Sequence, residues 1–322
     1  SRVVTGVQTC ALPILEDDEA DAEKAVNAYN TLKDNGMKVF IGTVTTGACL
    51  SVVSQTKADN MFQITPSASA AKVIANDNCF QVCFTDPNQG TASADYIASK
   101  GLATKVAVIY NSSDAYSSGI YDNFKAEAAA KGLDLVASEA FTGDSKQDFS
   151  SQLSKIKASG AELIFLPIYY QEASLILSQA KNAGITAKFF GCDGLDGLLN
   201  IENFDKSLAE NVMLLTPFAA NATDETTKKF VAAYNAKYDP STLNQFAADA
   251  YDAVYIVKAA AEKAGVTGDI SVSDICNALK GAMTEITVDG VTGSGMTWKA
   301  TGEVNKEPKA VKIENGEYQP MD

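Results

Sequence analysis

Two turns rich in hydroxyl groups, at residues 43–47 and 65–69, offer the clearest chemistry in this chain. Each turn follows an apolar, strand-like run and precedes a helix-like segment, so both are predicted at the carboxyl edge of a parallel sheet. Helix amides are exposed at that edge and favour anions. The hydroxyls of Thr46, Ser67 and Ser69 would add further donors, and no glycine-rich phosphate loop is present. The pattern therefore predicts a site for the carboxylate of an amino acid.

Helix capping is the alternative explanation for these hydroxyls. Ser and Thr are favoured at helix N-caps for purely local reasons. Two such turns after consecutive strands contain more hydroxyls than capping requires, because one hydroxyl is enough for each helix. Ligand contact is therefore the favoured interpretation.

Composition excludes several classes of function. The chain has 322 residues, of which 46% are hydrophobic, and this is enough for two cores. It carries 40 acidic and 26 basic residues, a net charge of −14, so a nucleic-acid or anionic-lipid partner is not expected. Histidine is absent, which removes the commonest general base and zinc ligand. We therefore predict neither an enzyme nor a metal or cofactor site, and no apolar run is long enough to span a membrane.

Strand-like and helix-like segments alternate along most of the chain, which is typical of an α/β fold. After residue 216 the pattern changes to three helices in a row and then to a Gly- and Thr-rich segment that predicts β-hairpins. The predicted strands are 38–41, 62–65, 80–85, 106–110, 133–137, 163–167, 188–191 and 212–216. The predicted helices are 18–34, 48–57, 89–100, 120–131, 149–158, 172–182, 224–238, 245–264 and 272–282.

The first residues do not read as natural protein sequence. Residues 4–14 (VTGVQTCALPI) resemble the translation of a sequencing-library adapter, so residues 1–14 are predicted to be a non-native segment. Cys10 is disregarded for this reason, and the other cysteines are predicted to be buried thiols. We expect that an export signal and the first strand of the fold have been lost from this end.

Several segments, taken in order, resemble the substrate-binding proteins of branched-chain amino-acid ABC transporters, the leucine/isoleucine/valine-binding family. The resemblance implies an α/β fold of two Rossmann-like lobes with parallel sheets joined by three crossovers, the type I periplasmic-binding-protein fold. The segments that carry it are EDDEADAEKAVNAYNTL, IGTVTTGACL, ITPSASA, CFTDPNQGTASADYI, KVAVIYNSSDAYSSG, ELIFLPIYYQEASLILSQA, FFGCDGLDG and FAADAYDAVY.

The resemblance also implies where the lobes begin and end. Crossovers are expected near Asp86-Pro87, near Thr216-Pro217 and within the terminal hairpin region. Lobe 1 is then predicted to comprise residues 15–86 and 217–298 and to lack its first strand. Lobe 2 is predicted to comprise residues 87–216 and 299–322.

In the family that the chain resembles, both charged ends of an amino acid are held. The resemblance implies that the hydroxyl of Thr46 and the turn formed by Ser67, Ala68 and Ser69 hold the carboxylate. A carbonyl of the same turn and Asp193 from the other lobe would hold the ammonium. Many relatives carry Glu at the position of Asp193, so the shorter side chain would shift the ammonium or admit a bridging water.

Aromatic side chains are implied to wall the ligand pocket from the second lobe. Tyr116 and one of Tyr169 or Tyr170 match these positions; core packing is the alternative for all three. Tyr169 and Tyr170 are consecutive after a strand, so both cannot face the same way. Asp193 and Asp196 could instead be turn acids or part of a weak calcium loop.

The function implied is that of an extracytoplasmic solute-binding protein. It would close on an amino acid, most naturally an aliphatic one, and deliver it to the permease subunits of an ABC transporter. The resemblance implies a monomer in the periplasm or outside the cell, either free or lipid-anchored. A sensor domain of the same fold, coupled to signalling, is the alternative. An α/β hydrolase is disfavoured because histidine and a GxSxG motif are missing.

Overall fold

The computed structural model of the chain describes residues 13–321. Of the segment predicted to be non-native, only Pro13 and Ile14 fall within this range, and Cys10 lies outside it. The chain forms two compact units, so it passes from one to the other three times. Of the described residues, unit 1 comprises 13–84 and Asp249–Lys306, and unit 2 comprises Thr85–Ala248 and 307–321.

Unit 1 contains a small parallel sheet. Its three strands run in the order β1-β2-β3, with Phe40 paired to Gln63 and Ile64 paired to Phe80. Helices separate the strands along the chain and cover the sheet, as expected for parallel strands. The elements are α1 (Ala22–Asp34), β1 (Phe40–Ile41), α2 (Thr46–Ala58), β2 (Gln63–Thr65), β3 (Cys79–Gln81), most of α8 (Gln245–Ala264) and α9 (Val272–Met283).

The strands of unit 1 alternate between an apolar face and a polar face. Phe62 and Phe80 stack on each other, with ring centroids 5.5 Å apart, within the core formed with α8 and α9. The intervening side chains point to the opposite face because successive residues of a strand alternate. On that face Gln63 Nε2 donates to the Gly42 carbonyl at 2.9 Å, and Gln81 Nε2 donates to the Ala68 carbonyl at 2.9 Å. The two glutamines thus fasten the turns that follow β1 and β2.

Unit 2 contains a sheet of seven strands in the order β10-β9-β8-β7-β6-β4-β5. The strands from β4 to β8 are parallel, and the terminal pair β9 and β10 is antiparallel to its neighbours. The strands are β4 (Lys105–Asn111), β5 (Asp134–Phe141), β6 (Leu163–Leu166), β7 (Lys188–Gly191), β8 (Met213–Thr216), β9 (Lys309–Glu314) and β10 (Glu317–Pro320).

Two hydrophobic clusters pack against this sheet. One contains Ile164 and Leu166 of β6, and the other contains Leu163 and Phe165 of the same strand, so the clusters occupy opposite faces. Both faces of β6 are therefore buried, which explains its continuous apolar sequence. The helices of unit 2 are α3 (Asp86–Ser99), α4 (Ala115–Ala130), α5 (Ser150–Ser159), α6 (Tyr170–Asn182) and α7 (Glu225–Asn235).

The unit bounds differ from the predicted lobe bounds at the second and third crossings. Residues 217–248 belong to unit 2, whereas the prediction assigned them to lobe 1. Their contacts explain this: Phe218 packs edge-on against Phe230, and the Leu243 carbonyl accepts from Asn200 Nδ2 at 2.9 Å. Residues 299–306 belong to unit 1, because the Gly302 carbonyl accepts from the Gln81 backbone N–H at 2.9 Å.

The predicted terminal hairpins are only partly present. Unit 1 contains two isolated bridges there, Val288 with Met296 and Trp298 with Val304, instead of extended strands. The Trp298 indole N–H donates to the Gln81 carbonyl at 2.7 Å, so this segment is fixed by side chains as well as by strand pairing. The regular hairpin is β9–β10 in unit 2. The described cysteines are all buried as free thiols, as predicted.

Candidate functional site

The hydroxyl of Thr46 links the two turns of unit 1. Thr46 is the first residue of α2 and is 1% exposed. Its Oγ1 accepts from the backbone N–H of Ser69 at 3.2 Å and from that of Ala70 at 3.5 Å. Thr45 occupies the N-cap of α2 and makes no side-chain capping bond. The hydroxyl that joins the turns is therefore not a helix cap.

The second turn is held by hydrogen bonds on both sides. Thr65 Oγ1 donates to the Thr43 carbonyl at 2.6 Å and accepts from the Ala68 N–H at 3.0 Å. Ser67 and Ser69, at 5% and 0% exposure, lie within this fixed turn. These hydrogen bonds connect Thr46, Ala68 and Ser69, and Ser67 lies in the same turn, so the structure brings the four predicted residues of unit 1 together.

The chemistry of this group suits an anion. The first amides of a helix have no partner within the helix, and the helix dipole makes that end partly positive. The start of α2 and the turn that contains Ser67 therefore offer amides and hydroxyls as donors. Among the carbonyls of this turn, that of Ala68 accepts from Gln81 Nε2 at 2.9 Å and keeps its second lone pair for another donor.

In unit 2, Asp193 is surrounded by neutral hydrogen-bond donors. The residue is 1% exposed and begins a short 3₁₀ turn after β7. Its Oδ1 accepts from the Tyr116 hydroxyl at 2.6 Å, and its Oδ2 accepts from Gln245 Nε2 at 3.2 Å. Its backbone N–H donates to Gln89 Oε1 at 3.1 Å, and its carbonyl accepts from Gln245 Nε2 at 3.4 Å. Two side chains therefore hold this carboxylate, and a third, that of Gln89, holds the backbone N–H of the same residue.

Tyr116 supports Asp193 and the glycine that follows it. Its hydroxyl also accepts from the Gly194 N–H at 2.9 Å, and its ring stacks on Tyr169 with centroids 4.7 Å apart. Burial and the negative charge of Asp193 raise the pKa of Tyr116 well above its usual value, so the hydroxyl stays protonated and donates. A side chain at Gly194 would lie 2.6 Å from this hydroxyl, which explains why a glycine follows Asp193.

Tyr170 lies apart from the Asp193 group. Tyr169 packs against the cluster that contains Tyr116, whereas Tyr170 packs against the other cluster of unit 2. The ring of Tyr170 covers Gly197, whose φ is +112° and whose missing side chain would lie 2.8 Å from that ring. The expectation that the two tyrosines face opposite ways is confirmed. The structure brings Tyr169, and not Tyr170, together with Asp193.

The second aspartate of the turn, Asp196, has a structural environment. Its Oδ2 accepts from the Gln245 backbone N–H at 2.6 Å, and its Oδ1 accepts from the Tyr318 hydroxyl at 2.8 Å. Burial raises the pKa of Asp196 to about 6. Both carboxylates of the turn thus receive protein donors, and residues 13–321 contain no cluster of side chains suited to a metal ion.

Two contributors to this group, Gln89 and Gln245, are absent from the sequence prediction. They lie 104 and 52 residues from Asp193 in the chain. Gln89 is in the first turn of α3, and Gln245 begins α8. Gln89 lies within the segment CFTDPNQGTASADYI, and Gln245 directly precedes FAADAYDAVY, but nothing in these segments marks a glutamine as part of a site. Their contacts with Asp193 depend on how distant elements pack.

No helix in the described part of the chain is both long and apolar enough to cross a membrane. The described residues contain two candidate groups of binding residues. One is formed by the hydroxyl-bearing turns of unit 1, with Thr46 and Ser67. The other is the Asp193 group of unit 2, with Tyr116, Gln89 and Gln245.

Comparison with known proteins gives consistent matches over most of the chain. Residues 12–317 match the family described as periplasmic binding protein. Leu/Ile/Val-binding protein homolog 3 of Brucella melitensis is 32% identical over 79% of this chain and 68% of its own length. The crystal structure of the leucine-binding protein LivK of Thermotoga maritima has a TM-score of 0.85 and 25% identity, covering 96% of this chain and 86% of its own. LivJ of Streptococcus pneumoniae, in complex with isoleucine, has a TM-score of 0.82 and 27% identity, covering 95% and 85%.

Proposed function

Because the chain belongs to the periplasmic binding protein family, we propose that it binds a branched-chain amino acid and delivers it to the permease of an ABC transporter. Members of this family bind solutes and are not enzymes, so the chain is a binding protein. Its type I periplasmic-binding fold agrees with the fold expected from the resemblance.

The buried carboxylate of Asp193 is the observation that carries the ligand class. It is oriented by Tyr116 and Gln245, two neutral donors, and a primary ammonium would neutralise its charge. The hydroxyls and amides around Thr46 and Ser67 would hold the carboxylate of the same ligand. A ligand with both groups is an α-amino acid.

The number of polar contacts is sufficient for a useful affinity. Hydrogen bonds to charged groups contribute roughly 1.5 to 3 kcal/mol each. Four or five of them, less the cost of ordering the ligand, can reach the roughly −8 kcal/mol of a micromolar complex. The residues therefore need no catalytic role to explain their arrangement.

The names of the relatives support an aliphatic side chain. Those of Brucella melitensis and Pseudomonas aeruginosa are named for leucine, isoleucine and valine, the latter also for threonine and alanine, and LivJ holds isoleucine. We extend the aliphatic preference to the present chain. The place of action would be outside the cytoplasmic membrane, with the protein free or lipid-anchored, monomeric, and presented to permease subunits. Uptake of labelled leucine by a permease of this class, with and without the added protein, would test the delivery step.

The ligand class is tested by the isosteric change Asp193→Asn. Calorimetry should show leucine affinity reduced by about 2 to 5 kcal/mol, because the ammonium loses its charged partner. Affinity for isocaproate, which is leucine without its amino group, should stay the same or rise. Asp205→Asn, an exposed aspartate of the same unit, is the control and should leave both affinities unchanged. Undiminished leucine binding by Asp193→Asn would remove this residue from the site.

A further inference from the structure

Gln245 makes an unusual set of contacts for a buried side chain. It is 0% exposed, and its Nε2 donates to both Oδ2 and the carbonyl of Asp193, at 3.2 and 3.4 Å. Its backbone N–H donates to Asp196 at 2.6 Å. Both donors of this residue are therefore committed to the turn that contains the two aspartates.

The oxygen of the same side-chain amide, Gln245 Oε1, lacks a hydrogen-bond partner of this kind among the described residues. Gln245 Oε1 is buried and makes no hydrogen bond to any residue within 13–321. A buried polar atom without a partner costs roughly 1 to 3 kcal/mol, so one that persists calls for a partner supplied from elsewhere. Since Oε1 and Nε2 belong to one planar amide, Oε1 lies close to the Asp193 carboxylate that Nε2 contacts. An acceptor beside a carboxylate is suited to a cationic donor.

Gln89, whose side chain contacts the same turn from α3, forms a different set of hydrogen bonds. It is also 0% exposed, but its Oε1 accepts from the Asp193 backbone N–H at 3.1 Å. Its unpartnered buried atom within the described residues is the donor Nε2. Gln89 thus has a donor without a hydrogen-bond partner among the described residues, whereas Gln245 has an acceptor. Only an acceptor can bind an ammonium group.

We propose that Gln245 completes the ammonium site, with Nε2 holding Asp193 and Oε1 accepting a hydrogen bond from the ligand. This inference rests on the proposed function and adds a specificity-determining residue to it. A primary ammonium has three N–H groups, and Asp193 and Gln245 together offer acceptors on neighbouring side chains. The arrangement selects ligands with a free α-amino group over N-alkylated ligands and over carboxylates that lack an amino group.

The test compares three ligands, leucine, N-methylleucine and isocaproate, on the full chain by calorimetry. Gln245→Met keeps the size of the side chain and removes both polar atoms. It should lower leucine affinity about 10- to 100-fold, the loss of one hydrogen bond to a charged group. The affinity for isocaproate should stay within about 3-fold, because that ligand has no ammonium. The ratio of leucine to N-methylleucine affinity should also fall.

Gln89→Met is the matched control, since it alters another buried glutamine whose side chain contacts the turn that contains Asp193. It should leave the ratio of leucine to N-methylleucine affinity unchanged, even where it lowers thermal stability. An equal loss for all three ligands in Gln245→Met would mean that Gln245 only supports the turn, and would overturn the proposal.

The wild-type protein supplies an independent measurement if Gln245→Met does not fold. Leucine should bind at least about 10-fold more tightly than N-methylleucine, and equal affinities would overturn the proposal. If the wild type binds no aliphatic amino acid, the proposed function is wrong, and this inference is wrong as well. Leucine binding that depends on Asp193 but keeps its discrimination in Gln245→Met overturns the role of Gln245 alone.

Discussion

Asp196 shows how a buried carboxyl group can support a turn and still weaken the fold at neutral pH. Its oxygens accept from the Gln245 N–H and the Tyr318 hydroxyl, but burial outweighs these bonds and raises its pKa from 3.8 to about 6. Below pH 3.8 the group is protonated in the folded and the unfolded chain. Above about pH 6 it is ionised in both, and the folded chain carries the cost of a buried charge.

The contribution of Asp196 to stability therefore falls as the pH rises from about 4 to about 6. We expect Asp196→Asn to remove this part of the pH dependence. The difference in the free energy of unfolding between the variant and the wild type should shift by about 2 kcal/mol between about pH 4 and about pH 7.5, in favour of the variant at the higher pH. Urea unfolding at both values measures this, and a constant difference would contradict it.

Thr46 is expected to affect stability and ligand binding together. Thr46→Val keeps the shape of the side chain but leaves the N–H groups of Ser69 and Ala70 without their acceptor. Unfolding in urea should show a loss of about 1 to 3 kcal/mol, and calorimetry should show weaker leucine binding. Thr31→Val, at an exposed position of α1, should change stability by less than about 0.5 kcal/mol. A Thr46→Val protein that is fully stable would show that this hydroxyl does not join the turns.

Among the elements, α3 and α4 pack unusually closely at Gly90. A Cβ atom at this position would lie 2.5 Å from the Ile120 carbonyl oxygen and 2.8 Å from the Phe124 nitrogen, both backbone atoms of α4. Backbone cannot move away as a flexible side chain can. The close approach places Gln89, the neighbour of Gly90, against the turn that contains Asp193.

Gly90→Ala should therefore destabilise the protein although alanine favours helix. The helix gains roughly 1 kcal/mol in propensity, but separating α3 from α4 costs more, typically about 1 to 3 kcal/mol for overpacking and greater against rigid backbone. Gly281→Ala, in α9 with no atom within 4 Å of the added Cβ, should stabilise by about 0.5 to 1 kcal/mol. Thermal unfolding of both variants tests this, and a shift of the same sign for both would contradict it.

For the whole molecule, each of the two units has its own core, and each contains one of the two groups that we propose to bind the ligand. The proposed ligand needs both, because its carboxylate and its ammonium carry opposite charges. The net charge of −14 does not select the ligand, since local donors and acceptors decide which groups bind.

A thermal-shift screen should reveal this requirement for two charged ends. At a concentration about 100 times its dissociation constant, leucine should add about 2.7 kcal/mol of stability. For domains of this size that corresponds to roughly 5 to 10 °C in melting temperature. Isocaproate and isoamylamine, which each lack one charged group, should give much smaller shifts at the same concentration. A full shift with either would show that one end of the ligand is enough.

The sequence alone predicted the α/β fold, and the comparisons confirm it. Local patterns carry this information: β1, α2 and β2 follow one another with apolar runs, hydroxyl-rich turns and helix starts in a fixed order. Hydrogen bonds within a helix and the alternation within a strand are set by residues close together in the chain. Such signals place Thr46 and Ser67 in the segments that directly follow β1 and β2, without knowledge of the rest of the molecule.

The surroundings of Asp193 could come only from the tertiary structure. Gln89 and Gln245 reach it from 104 and 52 residues away, and which helix starts meet one turn depends on the order of the strands and the packing of the helices. Likewise the sequence could say that Tyr169 and Tyr170 face opposite ways but not which of them meets Tyr116. Contacts between distant residues depend on how whole elements pack, and no short stretch of sequence encodes that.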